Sequence, residues 1–233
     1  FYEDTGTTAK FFWDASAEDL QIGGNLLNLS GVSSGTTGAR LNANGGGMLR
    51  LASGGVDALY VVDGGNVGIG VTPEAWHSSY TALQFAGNGA LSGWGNQQAG
   101  AAIFLSQNSY TDQTAWKYIS TDEASRYEQV NGAHTFSVAT SGTADSAISW
   151  NTAMTIDNSG NVLVGKTSND SGTATGAILG SSGVSRLTAD GSHPLVLKRK
   201  SSDGTILQLE KDSGIVGSIA CKSGSMYIGS NLT

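Results

Sequence analysis

The sequence predicts an all-β fold, and three observations indicate it. A hairpin pattern occurs twice, as YVVDGGNVGIG at 60–70 and as TIDNSGNVLVG at 155–165. Glycine supplies 34 of the 233 residues, about twice the usual ~7%, whereas 13% of the residues are charged, about half the usual ~25%. No stretch shows a sustained 3.6-residue hydrophobic period, so helix is expected to be sparse.

The repeated hairpin has the same parts in each copy. An alternating apolar run leads to an aspartate (Asp63 or Asp157), a glycine-containing turn and an asparagine (Asn66 or Asn161), followed by a second apolar run. Glycine permits the positive φ angles that tight hairpin turns need. An isolated hairpin is marginally stable, so the apolar face of each copy must be covered by further strands or by other chains.

Before the first repeat, the chain alternates short apolar stretches with turns. Residues 1–23 predict a looser hairpin, in which an aromatic strand, an acidic turn and a return strand follow one another. Ser16 is a candidate cap for a single helical turn at 16–19. After the first repeat, Pro73 at a first helical position predicts one short helical turn at 72–76.

Residues 80–153 differ in composition and predict a compact β module inserted between the hairpins. They hold three of the five tryptophans and four of the seven tyrosines. Strand-like runs occur at 101–105, 115–119, 133–139 and 147–150. The tips at 108–112 and 122–126 are expected to be surface loops.

The last part of the chain predicts a β meander. Strand-like runs at 195–200, 205–211, 215–221 and 225–228 are separated by Ser-Asp-Gly, Asp-Ser-Gly and Lys-Ser-Gly turns. The predicted organisation therefore has three parts: an N-terminal hairpin region at 1–79, an aromatic-rich module at 80–153 and a C-terminal meander at 154–233.

Charge and cysteine content exclude several classes of function. Twelve Lys and Arg against nineteen Asp and Glu give a net charge of −7, which disfavours nucleic-acid binding because a phosphate-binding face needs clustered cations. A single cysteine, Cys221, permits neither an intrachain disulfide nor a cysteine-based zinc site. No apolar run approaches the ~20 residues of a membrane-spanning helix, so no membrane insertion is expected.

Catalytic patterns are also missing. The three histidines, His77, His134 and His193, are far apart and form no metal-ligand motif. The carboxylate pairs that a glycan hydrolase would need are Glu18/Asp19, Asp122/Glu123 and Glu210/Asp212, and all are interpreted as solvated turn or strand-surface residues. We therefore predict no catalytic residue, no metal and no cofactor.

Recognition of a glycan is the chemistry that the module favours most. Aromatic rings can stack on sugar faces while nearby polar groups bind hydroxyls. The predicted glycan-binding residues are Trp94, Trp116, Tyr118, Tyr127, His134, Asn108 and Asp112. The alternative is that the aromatic residues form the core of the module, because about 70 residues need some large apolar groups to fold.

Several segments resemble tail-fibre proteins of tailed bacteriophages. They are FYEDTGTTAKFFWDASAEDL, VDGGNVGIGVTPEAWHSSYTALQF, TAWKYISTDEASRYEQVNGAHTFSVA, AMTIDNSGNVLVG and SSDGTILQLEKDSGIVGSIACKSGSMYIG. The resemblance implies an elongated parallel homotrimer of short hairpins and interleaved strands, built from this chain and two further copies. It also implies an extracellular place on the virion, contact with other tail proteins, and a host polysaccharide or receptor as ligand.

Such fibres often precede an endosialidase-type chaperone that assembles the trimer and then cleaves itself away. For a chain that stops at Thr233, the resemblance implies a matured or shortened C-terminus.

The expected function is therefore a structural and adhesive segment of a phage tail fibre that supports attachment to the host surface. Three alternatives stay open. They are a tailspike-like glycan depolymerase, a monomeric carbohydrate-binding sandwich, and a purely structural virion spacer.

Overall fold

The computed structural model describes residues 11–14, 19–22, 49–53, 56–95 and 98–229, and within them the protein is all-β. The first strands are β1 (Phe11–Asp14), β2 (Asp19–Ile22), β3 (Leu49–Ser53), β4 (Val56–Val61), β5 (Val67–Ile69), β6 (Tyr80–Phe85), β7 (Gly89–Trp94), β8 (Ala102–Gln107), β9 (Ser109–Thr111) and β10 (Trp116–Tyr118). The others are β11 (Asp122–Val130), β12 (Ala133–Gly142), β13 (Asn151–Ile156), β14 (Val162–Val164), β15 (Gly176–Leu179), β16 (Ser185–Thr188), β17 (Gly204–Lys211), β18 (Gly214–Lys222) and β19 (Ser225–Gly229).

The chain divides into two compact units, residues 1–49 and 50–233. In the first unit, β1 and β2 pair antiparallel, which confirms the N-terminal hairpin. The helical turn considered at 16–19 lies largely outside the described residues, and Asp19 is already in β2. The three-part division predicted from the sequence stays a prediction.

The second unit is dominated by a twelve-stranded sheet. Its strand order is β16-β15-β14-β13-β12-β11-β8-β7-β6-β5-β4-β3, so the chain meanders through it almost in sequence order. The β5–β6 pair is parallel and the other described pairs of this sheet are antiparallel. Strands β9 and β10 leave the sheet to form a hairpin of their own. Strands β17 to β19 form a separate three-stranded sheet.

Both repeated hairpins are confirmed, as β4–β5 and β13–β14. Their hydrogen bonds correct one detail of the alignment. The Val62 amide donates to the Asn66 carbonyl just as the Asp157 amide donates to the Asn161 carbonyl, so Asp157 is equivalent to Val62 and not to Asp63. Only Asp157 shapes its turn through its carboxylate, which accepts from the amides of Ser159 and Asn161.

Five local predictions were wrong. Residues 147–150 form no strand, because only Ala147 pairs, in an isolated bridge with Lys117. Residues 72–76 form no helical turn, because the Glu74 amide donates to the Gln84 side chain and the His77 amide to the Thr111 carbonyl, instead of to a preceding turn of helix. Residues 122–126 are not a loop but begin β11, which pairs with both β8 and β12. Within 108–112, β9 is fully buried. Residues 195–200 form no strand.

Over β6 and β7, the two faces of the twelve-stranded sheet differ in side-chain size. One face, the covered face, carries small residues such as Ala82, Ala90 and Ser92, all at most 2% exposed. The β9–β10 hairpin and the segments at 72–79 and 143–150 supply large aromatic side chains that pack on it. Small residues let the cover approach the sheet closely, so the core of this unit lies between them.

Candidate functional site

Aromatic side chains of the cover contact one another at ring-packing distances. Trp116 lies 5.1 Å from Phe104, 6.0 Å from Tyr80, 6.2 Å from Trp76 and 6.3 Å from Trp150, measured between ring centroids. The contacts are tilted or edge-on, the arrangement that ring quadrupoles favour. Trp116 therefore sits at the centre of a packed cluster, as the core alternative described.

Arg126 projects from β11 into this aromatic cluster. Its guanidinium carbon is 4.7 Å from the Trp150 centroid, 4.9 Å from the Trp116 centroid and 5.7 Å from the Phe104 centroid. Its Nη2 lies 3.4 Å from the carboxylate of Glu128. Burial lowers the pKa of Arg126, against the raising effect of the Glu128 charge. Cation–π contacts compensate in part for the lost hydration.

Tyr118 and Asn108, two of the predicted glycan-binding residues, are engaged in structural contacts. The Tyr118 hydroxyl donates to the Thr140 carbonyl at 2.6 Å, and its ring occupies the space that a Cβ on Gly142 would need. Asn108 is fully buried; its amide donates to the carbonyls of Ser120 and Glu123, and its Oδ1 accepts from the Ser120 amide. Neither side chain has a polar group left to offer a sugar.

Asp112 and Trp94 lie at the margin of the covered region. The Asp112 carboxylate accepts from the amides of Thr114 and Ala115 and pairs with Lys117 at 2.5 Å. The Lys117 ammonium holds the pKa of Asp112 well below its usual range, with help from these amides. Trp94 ends β7, opposite Tyr80 and Ala102, and is half-buried.

Tyr127 and His134 lie instead on the opposite, open face of the sheet. The Tyr127 hydroxyl is hydrogen-bonded to His134 Nδ1, and the two rings stack at 5.9 Å. Phe136 packs 4.9 Å from Tyr127. A groove of about 520 Å³ opens on this face; its lining includes Phe85, Leu105, Tyr127, Phe136 and Val138. The seven predicted residues are thus not brought together at one site.

The open face carries a continuous apolar row, one residue wide, across eleven consecutive strands of the sheet. Each member is the direct register partner of the next, so all project from the same face. The row is Val61, Val67, Leu83, Leu91, Leu105, Tyr127, Phe136, Met154, Val164, Ala177 and Leu187. None is buried, and Leu105 is 52% exposed.

Several charged residues of the sheet lie on the covered face. Arg126 and Glu128 belong to covered-face rows, and Arg186 ends one of them as the partner of Ile178. A second row on the open face lies beside the apolar row. It runs from Leu59 through Ile69 and Phe85 to Val138 and contains no charged residue. The open face therefore exposes many large apolar side chains.

One carboxylate pair that the sequence did not suggest lies beside the cover. The Tyr110 hydroxyl donates to Asp145 at 2.9 Å, and burial together with this bond raises the pKa of Tyr110 to about 12. Burial, and then the negative charge of Asp145, raises the pKa of Glu74. Glu74, Tyr110 and Asp145 are 35 to 71 positions apart in the sequence, so an argument from local residue spacing could not find them.

The described part of the chain holds no group of three or more His, Cys, Asp or Glu side chains that could bind a metal ion. It also contains no helix with the length and apolar character of a membrane span. Comparison of the chain with protein-family models, with curated proteins and with solved structures gives no match.

Proposed function

We propose that this chain is a structural and adhesive segment of a phage tail fibre, which assembles with two further copies and supports attachment to the host surface. The observation that carries the proposal is the apolar row on the open face. Burying the rest of a half-exposed Leu or Val stabilises a complex by about 1 kcal/mol. A row of this length therefore provides several kcal/mol for assembly.

Copies of the same chain are the partners that suit this face best. The row carries no charge that could select a partner of opposite sign, and it is apolar along its whole length. Such a face is complementary to itself, and cyclic symmetry brings identical faces together around one axis. Low charge also suits the centre of an assembly, where an unpaired charge would be costly.

The assignment to a phage fibre and to a host glycan rests on the sequence resemblance. Attachment fits the architecture in one respect: three copies on one assembly would strengthen weak single contacts through multivalency. Because Trp116, Tyr118 and Asn108 are engaged in packing, host contact is proposed for surface elements outside the aromatic cluster. The proposed location is the virion, outside the cell.

The test is the mass of the protein in solution, measured by light scattering, with an unheated sample on an SDS gel. We expect a mass near three times the 23.8 kDa chain. Leu105→Asp should give single chains with an unchanged far-UV circular dichroism spectrum, since Leu105 is 52% exposed in the chain by itself. Ser182→Asp, which adds the same charge in an exposed turn, should leave the assembly intact.

Two results would contradict the proposal. A single-chain mass for the unaltered protein would show that the proposed trimer does not form. Equal masses for Leu105→Asp and Ser182→Asp would show that the open face is not part of the interface.

A glycan depolymerase remains a second candidate, favoured by Glu74 and Asp145 beside Tyr110. A partly buried carboxyl with a raised pKa beside a second carboxyl is the pattern of a general acid and its partner. If this candidate is right, Glu74→Gln and Asp145→Asn each abolish the shortening of capsular or lipopolysaccharide chains. Absence of any shortening by the unaltered protein, measured by size-exclusion chromatography of the polysaccharide, would dismiss it.

A further inference from the structure

The C-terminal three-stranded sheet exposes apolar residues on both faces. Consecutive residues of a strand point to opposite faces. Tyr227 and Ile228 on β19 are 46% and 73% exposed, and Ile215 and Val216 on β18 are 47% and 54% exposed. A single covering layer could bury only one of these faces.

The segment at 194–200 lacks a strand partner although its sequence is that of a strand. Leu195, Val196 and Leu197 are 55%, 74% and 44% exposed. Within the described part of the chain, the backbone of these three residues makes no hydrogen bond. Ordering this segment in a single chain costs conformational entropy. Neither backbone hydrogen bonds nor buried side chains offset that cost.

The chain itself prevents this segment from pairing with β17, the strand that follows it. Arg199 donates from Nε to the Ser202 carbonyl and from Nη1 to the Thr205 carbonyl, so its side chain occupies the start of that edge. Ser201 has a φ of 71°, which turns the segment aside. Leu195 and Leu197 instead line a groove of about 500 Å³ together with Ile219 and Met226.

The opposite edge of the same sheet is open. β19 is its terminal strand, and its outward backbone groups have no partner among the described residues. Met226 on this strand is 71% exposed. Unlike β17, this edge has no arginine side chain bound to its carbonyls.

We propose that residues 194–200 become a strand only between copies, by adding to the free β19 edge of the next copy. Each chain then supplies one unpaired strand and one unpaired sheet edge. A heterologous contact of this kind forms a ring when three equal rotations between copies close it. The basic end of the segment, Lys198 to Lys200, also favours a copy of this chain, whose net charge is −7. The inference rests on the proposed self-assembly and names the element that completes it.

Val196→Pro tests the strand addition. Proline removes one backbone N–H that the single chain does not use but that an intermolecular ladder needs. Ser192→Pro is the matched control, since Ser192 is equally exposed and unpaired within the described residues. Val196→Thr, which keeps the N–H and the β-branched shape, should behave as the unaltered protein does.

The readouts are the SDS-resistant band and the reaction rate of the thiol of Cys221 with a disulfide reagent. Cys221 is the only cysteine of the sequence and lines the groove. In the assembly of the unaltered chain the thiol is expected to react slowly. Val196→Pro should raise the rate at least about tenfold, equivalent to about 1.4 kcal/mol, and abolish the resistant band.

Equal thiol rates and bands for Val196→Pro and Ser192→Pro would overturn the strand addition. If the two proline variants behave alike but Leu105→Asp still dissociates the assembly, the strand addition is wrong and the proposed assembly through the open face stands. A single-chain mass for the unaltered protein would overturn both.

Discussion

Asn66 and Asn161 show why the repeated hairpin keeps an asparagine after its turn. Asn66 accepts a hydrogen bond from the amide of Ala82 at 2.9 Å, and Asn161 accepts one from the amide of Ser181 at 2.9 Å. Both side chains are buried. In each copy, therefore, the asparagine ties its hairpin to a segment 16 or 20 residues further along the chain.

Asn161→Ala should lower the free energy of unfolding by about 0.5–1.5 kcal/mol, because it removes the buried side chain that accepts a hydrogen bond from the amide of Ser181. The measurement is urea denaturation followed by circular dichroism. Asn158→Ala in the same turn is the control, since Asn158 is exposed, and it should change stability by no more than ~0.5 kcal/mol. Equal losses of unfolding free energy for the two variants would show that the stability comes from the turn itself and not from the hydrogen bond between Asn161 and Ser181.

Glu74 gives a pH-dependent prediction with a definite sign. Its pKa is raised in the folded chain above the ordinary 4.5, first by burial and then by Asp145. The folded state therefore binds the proton more tightly than the unfolded state does, and the stability from this group is lost as pH rises through the folded pKa. Above the folded pKa, the ionised carboxylate destabilises the fold.

Glu74→Gln should raise the melting temperature at about pH 7, and the gain should shrink as the pH is lowered toward 4.5. Asp190→Asn, at an exposed position, provides the control. A gain that stays constant across this pH range would mean that packing, and not charge, is the cause.

At the scale of elements, the β9–β10 hairpin covers the small residues of the sheet. The sequence predicts a strand at 115–119 and, as one alternative, a core made of the aromatic residues of the module. It does not predict that this strand pairs with β9 and packs on the sheet. Strand β9 was predicted as a loop since Asn108, with a φ of 55°, and Asp112 flank it with turn chemistry.

Trp116→Ala should destabilise the chain by about 3–5 kcal/mol, the usual loss for a large aromatic residue in a core. Trp116 contacts four other rings and the Arg126 guanidinium. Thermal unfolding measures the loss, and Tyr60→Ala, a partly exposed aromatic position in β4, is the control. Normal stability of Trp116→Ala combined with lost glycan binding would support the binding role predicted for this residue.

Strand β11 illustrates where local patterns mislead. Its sequence, DEASRYEQV, is charged and reads as a surface loop, yet it lies between β8 and β12. Arg126 and Glu128 are accommodated because they pair with each other beneath the aromatic cover. Residues alternate along β11, but Arg126 and Glu128 face the core and Tyr127 faces outward.

At the scale of the whole molecule, the open face predicts how assembly responds to salt. Its apolar row carries no charge, so screening has nothing to weaken, and excluded salts strengthen apolar burial. The mass measured by light scattering should therefore stay unchanged in about 1 M NaCl and be maintained in ammonium sulfate. Dissociation in NaCl would indicate an interface built on ion pairs, contrary to the proposal.

The sequence by itself determined the all-β class, the two hairpins and the strands at 205–211, 215–221 and 225–228, because alternation and turn residues act over a few neighbouring positions. Only the tertiary structure decided which face of each strand is covered. That choice depends on the aromatic cover, whose parts come from three separate segments, 72–79, 109–118 and 143–150. Since the cover packs on the face of small residues, the larger apolar side chains of the open face stay exposed within the described residues.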